Sequence, residues 1–326
     1  MDYTQLGRTG LSVSRLCLGT MNFGPETSEP DSFSIMDVAH DQGINFFDTA
    51  NVYGRHSGKG ATESIIGRWF ATGGGRRERT VLATKAYGEM GDDPAWPNDG
   101  RLSALSLRRS LDDSLRRLHT DHIDLYQFHH VDRDTPWDEI WQAMETAVTQ
   151  GKVLYVGSSN FAGWHLAAAQ AAAAKRNFLG LVSEQSVYNL ANRTVELEVL
   201  PSAQAHGLGV LPWSPLHGGL LGGVLKKEAD GSRRYNKVAT ARLDPIRGQL
   251  QAFEDLADQL GHEPGELALA WLLHQPAVTA PIVGPRTMSQ LTSALAALDV
   301  TLEQDTLDRL DEIFPGHQPA PEDYAW

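Results

Sequence analysis

The chain has 326 residues, 41% of them apolar and 8% aromatic, enough to bury a large core as two ordinary domains or as one large α/β barrel. Its 28 basic and 41 acidic residues give a formal charge of −13, spread along the chain; this disfavours nucleic acid and anionic membranes as partners, while an anionic cofactor needs only a few local cations and backbone N–H groups. The single cysteine, Cys17 in RLCLG, excludes an internal disulfide and reads as a small core residue of a protein in the reducing cytoplasm.

From the N-terminus, MDYTQLGRTG lacks the charged and apolar regions of a signal peptide. YTQLGRTGLSV reads as a hairpin within residues 1–14 that closes the bottom of a barrel. Eight short apolar runs follow: Leu16–Gly19, Asn45–Asp48, Val81–Lys85, Ile123–His129, Val153–Ser158, Leu181–Gln185, Gly209–Trp213 and Ala280–Gly284. Their near-continuous hydrophobicity fits parallel strands covered on both faces. Helical patterns fill gaps between them. Leu102–His119 carries leucines at 102, 105, 111, 115 and 118 with arginines off that stripe, and Trp137–Gln150, Ala162–Arg176, Thr194–His206, Pro264–His274 and Ser289–Ala297 also read as helices. Ser103, Asp134 with Pro136, and Thr287 with Gln290 mark helix starts.

This alternation predicts a single (β/α)8 barrel domain over residues 1–326. A six-stranded doubly wound sheet with a small extra domain is the alternative, and the lack of G-x-G-x-x-G after an early strand weighs against it. The uncharged run Gly207–Leu225 holds two prolines and six glycines, which suits a strand and a Gly-rich loop rather than a membrane span. Two long loops, Tyr87–Gly100 and Ser214–Asp244, leave the C-terminal ends of strands, where barrel active sites sit. The tail, Phe314–Trp326, is expected to fold over the same face.

Ionisable residues fall at those strand ends. Asp48 ends the second barrel strand with Tyr53 in the next turn, Lys85 ends the third, and His129 and His130 end the fourth. Neighbouring strands lie about 4.8 Å apart, so an Asp, a Tyr, a Lys and a His would meet on one rim. Singly, each has a plain reading: a turn cap for Asp48, a snorkelling Lys85, an amphipathic Tyr53. Adjacent histidines on a strand point to opposite sides, so only one would face the site. Together they make an acid–base site for a carbonyl/alcohol pair. A tyrosine needs roughly 3 pKa units, ~4 kcal/mol, to exchange its proton near neutrality. One cation about 4 Å away at an effective dielectric near 20 supplies about that much. Lys85 would be that cation, Asp48 would hold it, and His129 would hydrogen-bond a substrate oxygen. No H-x-H strand end or other ligand cluster indicates a metal.

The segments LGRTGLSVSRLCLGTMNFG, INFFDTANVYG, TKAYG, DLYQFHHVD, VGSSNF, SEQSVYN, PWSPLHGGLLGG and PIVGPRT resemble, in this order, the aldo-keto reductases over about residues 3–315. The resemblance implies a (β/α)8 barrel, a catalytic tetrad of Asp48, Tyr53, Lys85 and His129, and NADP(H) as cofactor, with NADH less favoured. It implies a carboxamide clamp of Ser159, Asn160 and Gln185, with Trp213 stacked on the nicotinamide. Ser214, Leu216 and Gly218 would wrap the pyrophosphate; Gly19, Thr20 and Met21, beside Asp48, would line the ribose end. Gly284, Arg286 and Gln290 would hold the 2′-phosphate end. Ser293 and Ala294 depart from the acidic-plus-Asn pair common at the adenine, GLLGG lacks a following basic residue, and His130 stands where an arginine or a bulky residue is common. The implied activity is reduction of an aldehyde, ketone or keto-sugar by a cytoplasmic enzyme whose partner is a small molecule. A cofactor-bearing regulatory module, like potassium-channel β subunits, is the alternative. Phe23, Tyr87, Trp96, Tyr324 and Trp326 are candidate walls of an aromatic substrate pocket.

Overall fold

The computed structural model describes residues 1–91, 96–229, 241 and 243–325. Strands β1 (Tyr3–Gln5) and β2 (Ser12–Ser14) form the expected antiparallel hairpin. Eight parallel strands follow: β3 (Cys17–Gly19), β4 (Phe46–Asp48), β5 (Val81–Ala86), β6 (Ile123–Phe128), β7 (Val153–Ser159), β8 (Leu181–Gln185), β9 (Gly209–Val210) and β10 (Ile282–Val283), in the order β10-β3-β4-β5-β6-β7-β8-β9. The two ends of this sheet meet: Thr279 N donates to Val210 O at 2.9 Å and Ile282 N to Pro212 O at 2.8 Å. The result is the (β/α)8 barrel. β9 and β10 are shorter than the apolar runs that contain them because Pro212 and Pro281 have no N–H to give a ladder.

Strand alternation sorts the core into two layers. Cys17, Phe46, Ala83, Leu125, Val182, Leu211 and Ala280 fill the barrel, and Leu6 and Val13 of the hairpin plug it from below. Leu18, Phe47, Leu82, Tyr126 and Phe128 point the other way, into a larger layer shared with the helices.

Those helices are α1 (Glu29–Asp41), α2 (Ala61–Ala71), α3 (Ala104–Leu118), α4 (Trp137–Thr149), α5 (Gly163–Lys175), α6 (Val199–His206), α7 (Val224–Ala229), α8 (Arg247–Leu260), α9 (Pro264–His274), α10 (Met288–Ala296), α11 (Gln304–Ile313) and α12 (Glu322–Ala325). Ser103 and Thr287 cap α3 and α10 as expected, accepting from Ser106 N and Gln290 N. At α4 the cap is Pro136 with no side-chain bond, and Asp134 instead pairs with Arg101. The span 194–206 is not one helix: a 3-10 turn, Thr194–Glu196, precedes α6. Pro201 explains the break, since its ring would clash with the carbonyl of Leu197 in a continuous helix. Helices α1, α2, α7, α8, α11 and α12 lie outside the helical ranges read from the sequence.

α2 and α3 touch at Gly67, where an added Cβ would sit 2.1 Å from the backbone oxygen of Arg117. Alanine there must push two helices apart. At Gly248, in the first turn of α8, an added Cβ meets nothing within 4 Å. Gly67→Ala is therefore expected to destabilise by about 1–3 kcal/mol despite its better helix propensity. Gly248→Ala should stabilise by up to about 1 kcal/mol. Urea denaturation midpoints moving in opposite directions check this pair.

Candidate active site

β4, β5 and β6 carry three of the predicted groups to one spot. Lys85 is fully buried, and its Nζ lies 2.6 Å from Asp48 Oδ2, 2.8 Å from Thr49 O and 3.2 Å from Tyr53 Oη. The ammonium also sits 4.9 Å from the centroid of the Tyr53 ring. Tyr53 is half-buried and meets His129 edge to face at 5.9 Å between centroids. Asp, Tyr, Lys and His thus converge as expected.

The other oxygen of Asp48 has two partners. Gln127 Nε2 donates to Oδ1 at 3.0 Å and Gln185 Nε2 at 2.8 Å, and Gln185 Nε2 also donates to Gln127 Oε1 at 3.2 Å. Gln127 was not among the sequence candidates. It lies on the inward face of β6, two residues before His129, and that spacing was the available signal. Lys85, Gln127, Gly157 and Ser183 are in register across β5–β8. Gly157 contributes no side chain to this layer; a Cβ there would come within 2.4 Å of Ser183 Oγ and 3.1 Å of Gln127 Cγ. That gap lets Gln127 and Gln185 reach each other past β7.

The electrostatics follow from burial and from this pair. Burial alone would lower Lys85, but Asp48 and Tyr53 outweigh it and hold its pKa above the usual lysine value. Burial raises Tyr53 above its ordinary value and Asp48 adds to the rise, overcoming the opposing field of Lys85. Lys85 alone therefore does not bring the pKa of the phenol toward neutral pH in this arrangement, contrary to the simple Coulomb comparison, and Tyr53 stays an uncharged phenol. Burial, then Lys85 and His130, pull His129 down to about 2. Cys17 is buried in the barrel, where burial pushes its thiol up.

His129 and His130 do not point apart. Their rings stack with centroids 5.0 Å apart and planes within 4°, and Tyr87 meets His130 edge to face. β6 ends at Phe128, so strand alternation no longer governs the pair. Among the candidate pocket walls, Phe23 is fully buried in the outer core and is no wall. Trp96 lies under Arg109 at 4.5 Å. The tail is anchored to the segment that follows Gln185, with Ala320 N donating to Leu197 O and His317 N to Glu196; Tyr324 is exposed. Trp326 and parts of both long loops lie outside the described residues.

The remaining predicted residues surround the same end of the barrel. Asn160 adopts φ 62°, donates from Nδ2 to Ser159 Oγ (2.9 Å) and His129 O (3.2 Å), and accepts at Oδ1 from Trp213 Nε1 (3.1 Å). Ser159 Oγ donates to Gln185 O. The amide hydrogens of Asn160 and Gln185 are thus all taken up within the protein. Thr20 is fully buried and its hydroxyl is tied to Asp48 O at 2.9 Å, so it fixes the end of β3 instead of presenting an open hydroxyl. Gly19 packs on Ile282, and Met21 is exposed. Ser214 Oγ accepts from Gly218 N at 3.1 Å, and Cβ atoms at Gly218 and Gly219 would meet nothing within 4 Å, so this backbone is open to a ligand. Leu216 packs near Gly265. Gly284 O accepts from Asn22 Nδ2, Gln290 Oε1 accepts from Arg286 N at 2.8 Å, and Arg286 is exposed with no ion pair among the described residues.

One consequence concerns protonation. His129 is expected to stay neutral from pH 5 to 8, so its Cε1 NMR signal should not titrate while an exposed histidine does so near 6.5. Unfolding restores the ordinary value; the stability associated with neutral His129 is full above about pH 6.5 and declines as pH falls toward 2.

Comparison with known proteins agrees with this geometry. The model of the aldo/keto reductase family matches residues 15–314. The chain is 57% identical to the uncharacterized oxidoreductase YrpG of Bacillus subtilis, over 100% of both chains. It is 33% identical to a probable voltage-gated potassium channel subunit beta of Arabidopsis thaliana, over 99% of this chain and 100% of the other. It is 31% identical to versiconal hemiacetal acetate reductase of Aspergillus parasiticus, over 96% of each. A buried Asp–Lys pair beside a neutral tyrosine at the C-terminal rim of a (β/α)8 barrel, together with these matches, makes the chain an oxidoreductase that belongs to the aldo/keto reductase family.

Proposed function

We propose that the protein reduces an aldehyde, ketone or keto-sugar to the alcohol with NADPH, and that Tyr53 delivers the proton. The observation that carries this reading is the contact of Lys85 Nζ with both Asp48 Oδ2 (2.6 Å) and Tyr53 Oη (3.2 Å). The phenol is neutral at rest and has a cation ready for the charge it acquires on giving up its proton. A cation near 4 Å at a dielectric of about 20 is worth about 4 kcal/mol to that phenolate. Neutral His129, edge-on to Tyr53, orients the substrate oxygen by hydrogen bonding and does not compete as an acid.

The residues present suit a nicotinamide dinucleotide. Gln185 Oε1 and Asn160 Oδ1 would accept from the carboxamide N–H groups, and Trp213, fixed by Asn160, would stack on the ring. The backbone around Ser214, Leu216 and Gly218 would approach the pyrophosphate, with Gly19 and Met21 toward the ribose. The Arg286 guanidinium would take the 2′-phosphate, beside the N-terminus of α10 and with Gln290 and Gly284 holding its loop. When bound, the reduced nicotinamide supplies the hydride for the carbonyl carbon. The lone cysteine fits a cytoplasmic enzyme, and no helix among the described residues is long and apolar enough to cross a membrane. We read residues 1–326 as one barrel domain.

A second reading, a regulatory module, rests on the channel-subunit relative. Turnover separates the two. NADPH absorbance followed with a panel of carbonyl compounds, nucleotide-linked keto-sugars included, should show oxidation by the wild type. Tyr53→Phe should still quench tryptophan fluorescence with NADPH but lose about 10²–10⁴ in kcat; unchanged turnover would overturn the mechanism. Arg286→Ala should raise the NADPH dissociation constant about 10- to 100-fold and leave that of NADH nearly unchanged. An unaltered ratio removes Arg286 from the 2′-phosphate.

A further inference from the structure

We propose that Glu184 is a positioning residue for the nicotinamide clamp, holding the turn Ser158–Phe161 in the conformation that presents Ser159 and Asn160. This rests on the cofactor reading given above.

Gln185 faces into the barrel, so its neighbour Glu184 faces out, behind the strand. It is fully buried and has no ion-pair partner among the described residues. A carboxylate in that position is rare and must be satisfied by hydrogen bonds. Its partners are all at one place. Oε1 accepts from Phe161 N at 3.0 Å and from Ser186 Oγ at 2.6 Å, and Oε2 meets Ser158 Oγ. Between Ser158 and Phe161 lie Ser159 and Asn160, and Asn160 turns the chain at φ 62°, in the left-handed region that Asn tolerates better than most residues.

Two consecutive residues of β8 therefore stitch this turn. Glu184 binds Phe161 N with its side chain, and the Gln185 carbonyl binds Asn160 N at 2.9 Å and the Ser159 hydroxyl at 2.8 Å. The inward side chain of Gln185 is the opposite jaw of the clamp. Setting β8 sets both jaws.

Burial pushes the Glu184 carboxyl up to about 7 against its hydrogen bonds. Its protonated form can donate to Ser158 Oγ, which then donates to Ser183 O, 3.2 Å away. Glutamine reproduces those contacts: Oε1 accepts from Phe161 N and Ser186, and Nε2 donates to Ser158 Oγ. Alanine reproduces none.

The test uses two probes, NADPH and 2′-phospho-ADP-ribose, which lacks the nicotinamide. Glu184→Ala should weaken NADPH about 10-fold or more and leave 2′-phospho-ADP-ribose within about twofold, and Glu184→Gln should restore NADPH to within about threefold of wild type. Gly67→Ala, destabilised far from the clamp, should change neither affinity. Equal weakening of both probes by Glu184→Ala, no weakening of either, or failure of glutamine to rescue would overturn the proposal. Should Glu184→Ala not fold, Ser158→Ala reports instead, with a smaller loss confined to NADPH; loss of both probes or of neither again overturns it. Wild-type protein that binds NADPH no better than 2′-phospho-ADP-ribose would refute the nicotinamide clamp itself, a failure visible before any variant is made.

Discussion

An ammonium with no access to water requires an anion in contact with it, and Lys85 has Asp48. Either charge alone in that position would be destabilising by several kcal/mol, on the order of 3–5 for loss of one partner from a buried pair. The rest of the barrel mouth is organised around satisfying the two groups. Thr49 offers its carbonyl to the ammonium, Gln127 and Gln185 offer amide hydrogens to the carboxylate, and Thr20 ties down the carbonyl of Asp48 itself. The ammonium also donates to the Tyr53 hydroxyl, so the same interaction that makes the charges tolerable places them beside a phenol.

Several of these contacts depend on what the backbone leaves out. A Cβ at position 157 would come within 2.4 Å of Ser183 Oγ and 3.1 Å of Gln127 Cγ, crowding the side chain that donates to Asp48. β8 works on both faces at once, with Gln185 serving the charged pair inside the barrel and Glu184 serving the next turn outside it. Buried polar groups of this kind are stabilising only as a fully satisfied set. A substitution at one of them is felt by neighbours on three or four strands.

The eight strands, their order and the meeting of Asp48, Lys85 and His129 were legible because strand ends in a parallel barrel share one rim, and an ionisable residue closing an apolar run is easy to see. Tyr53 was legible by its nearness to Asp48, five residues back in the turn that leaves the strand. Gln127 went unread because it interrupts an apolar strand without ending it, and inside is distinguished from outside only once the alternation is anchored. The two histidines depart from alternation for the opposite reason: the strand stops at Phe128, and the apolar run gives no mark of that end. Hydrogen bonds between distant segments, such as Trp213 to Asn160 or Thr20 to Asp48, leave no local pattern. Pro201 splits residues 194–206 through a clash with the carbonyl of Leu197 that hydrophobic periodicity does not register.

The closure of the barrel has a mechanical side. β9 and β10 are two residues each, and their junction is held by a few bonds, one of them, Val210 N to Ala277 O, stretched to 3.3 Å. That junction is the thinnest stave of the wall. Trp213 and Ser214 leave one side of it, and Gly284 and Arg286 leave the other. A molecule gripped by both groups would bridge the seam like a rivet, so breathing of the barrel there, as amide hydrogen exchange would register it, becomes a function of occupancy.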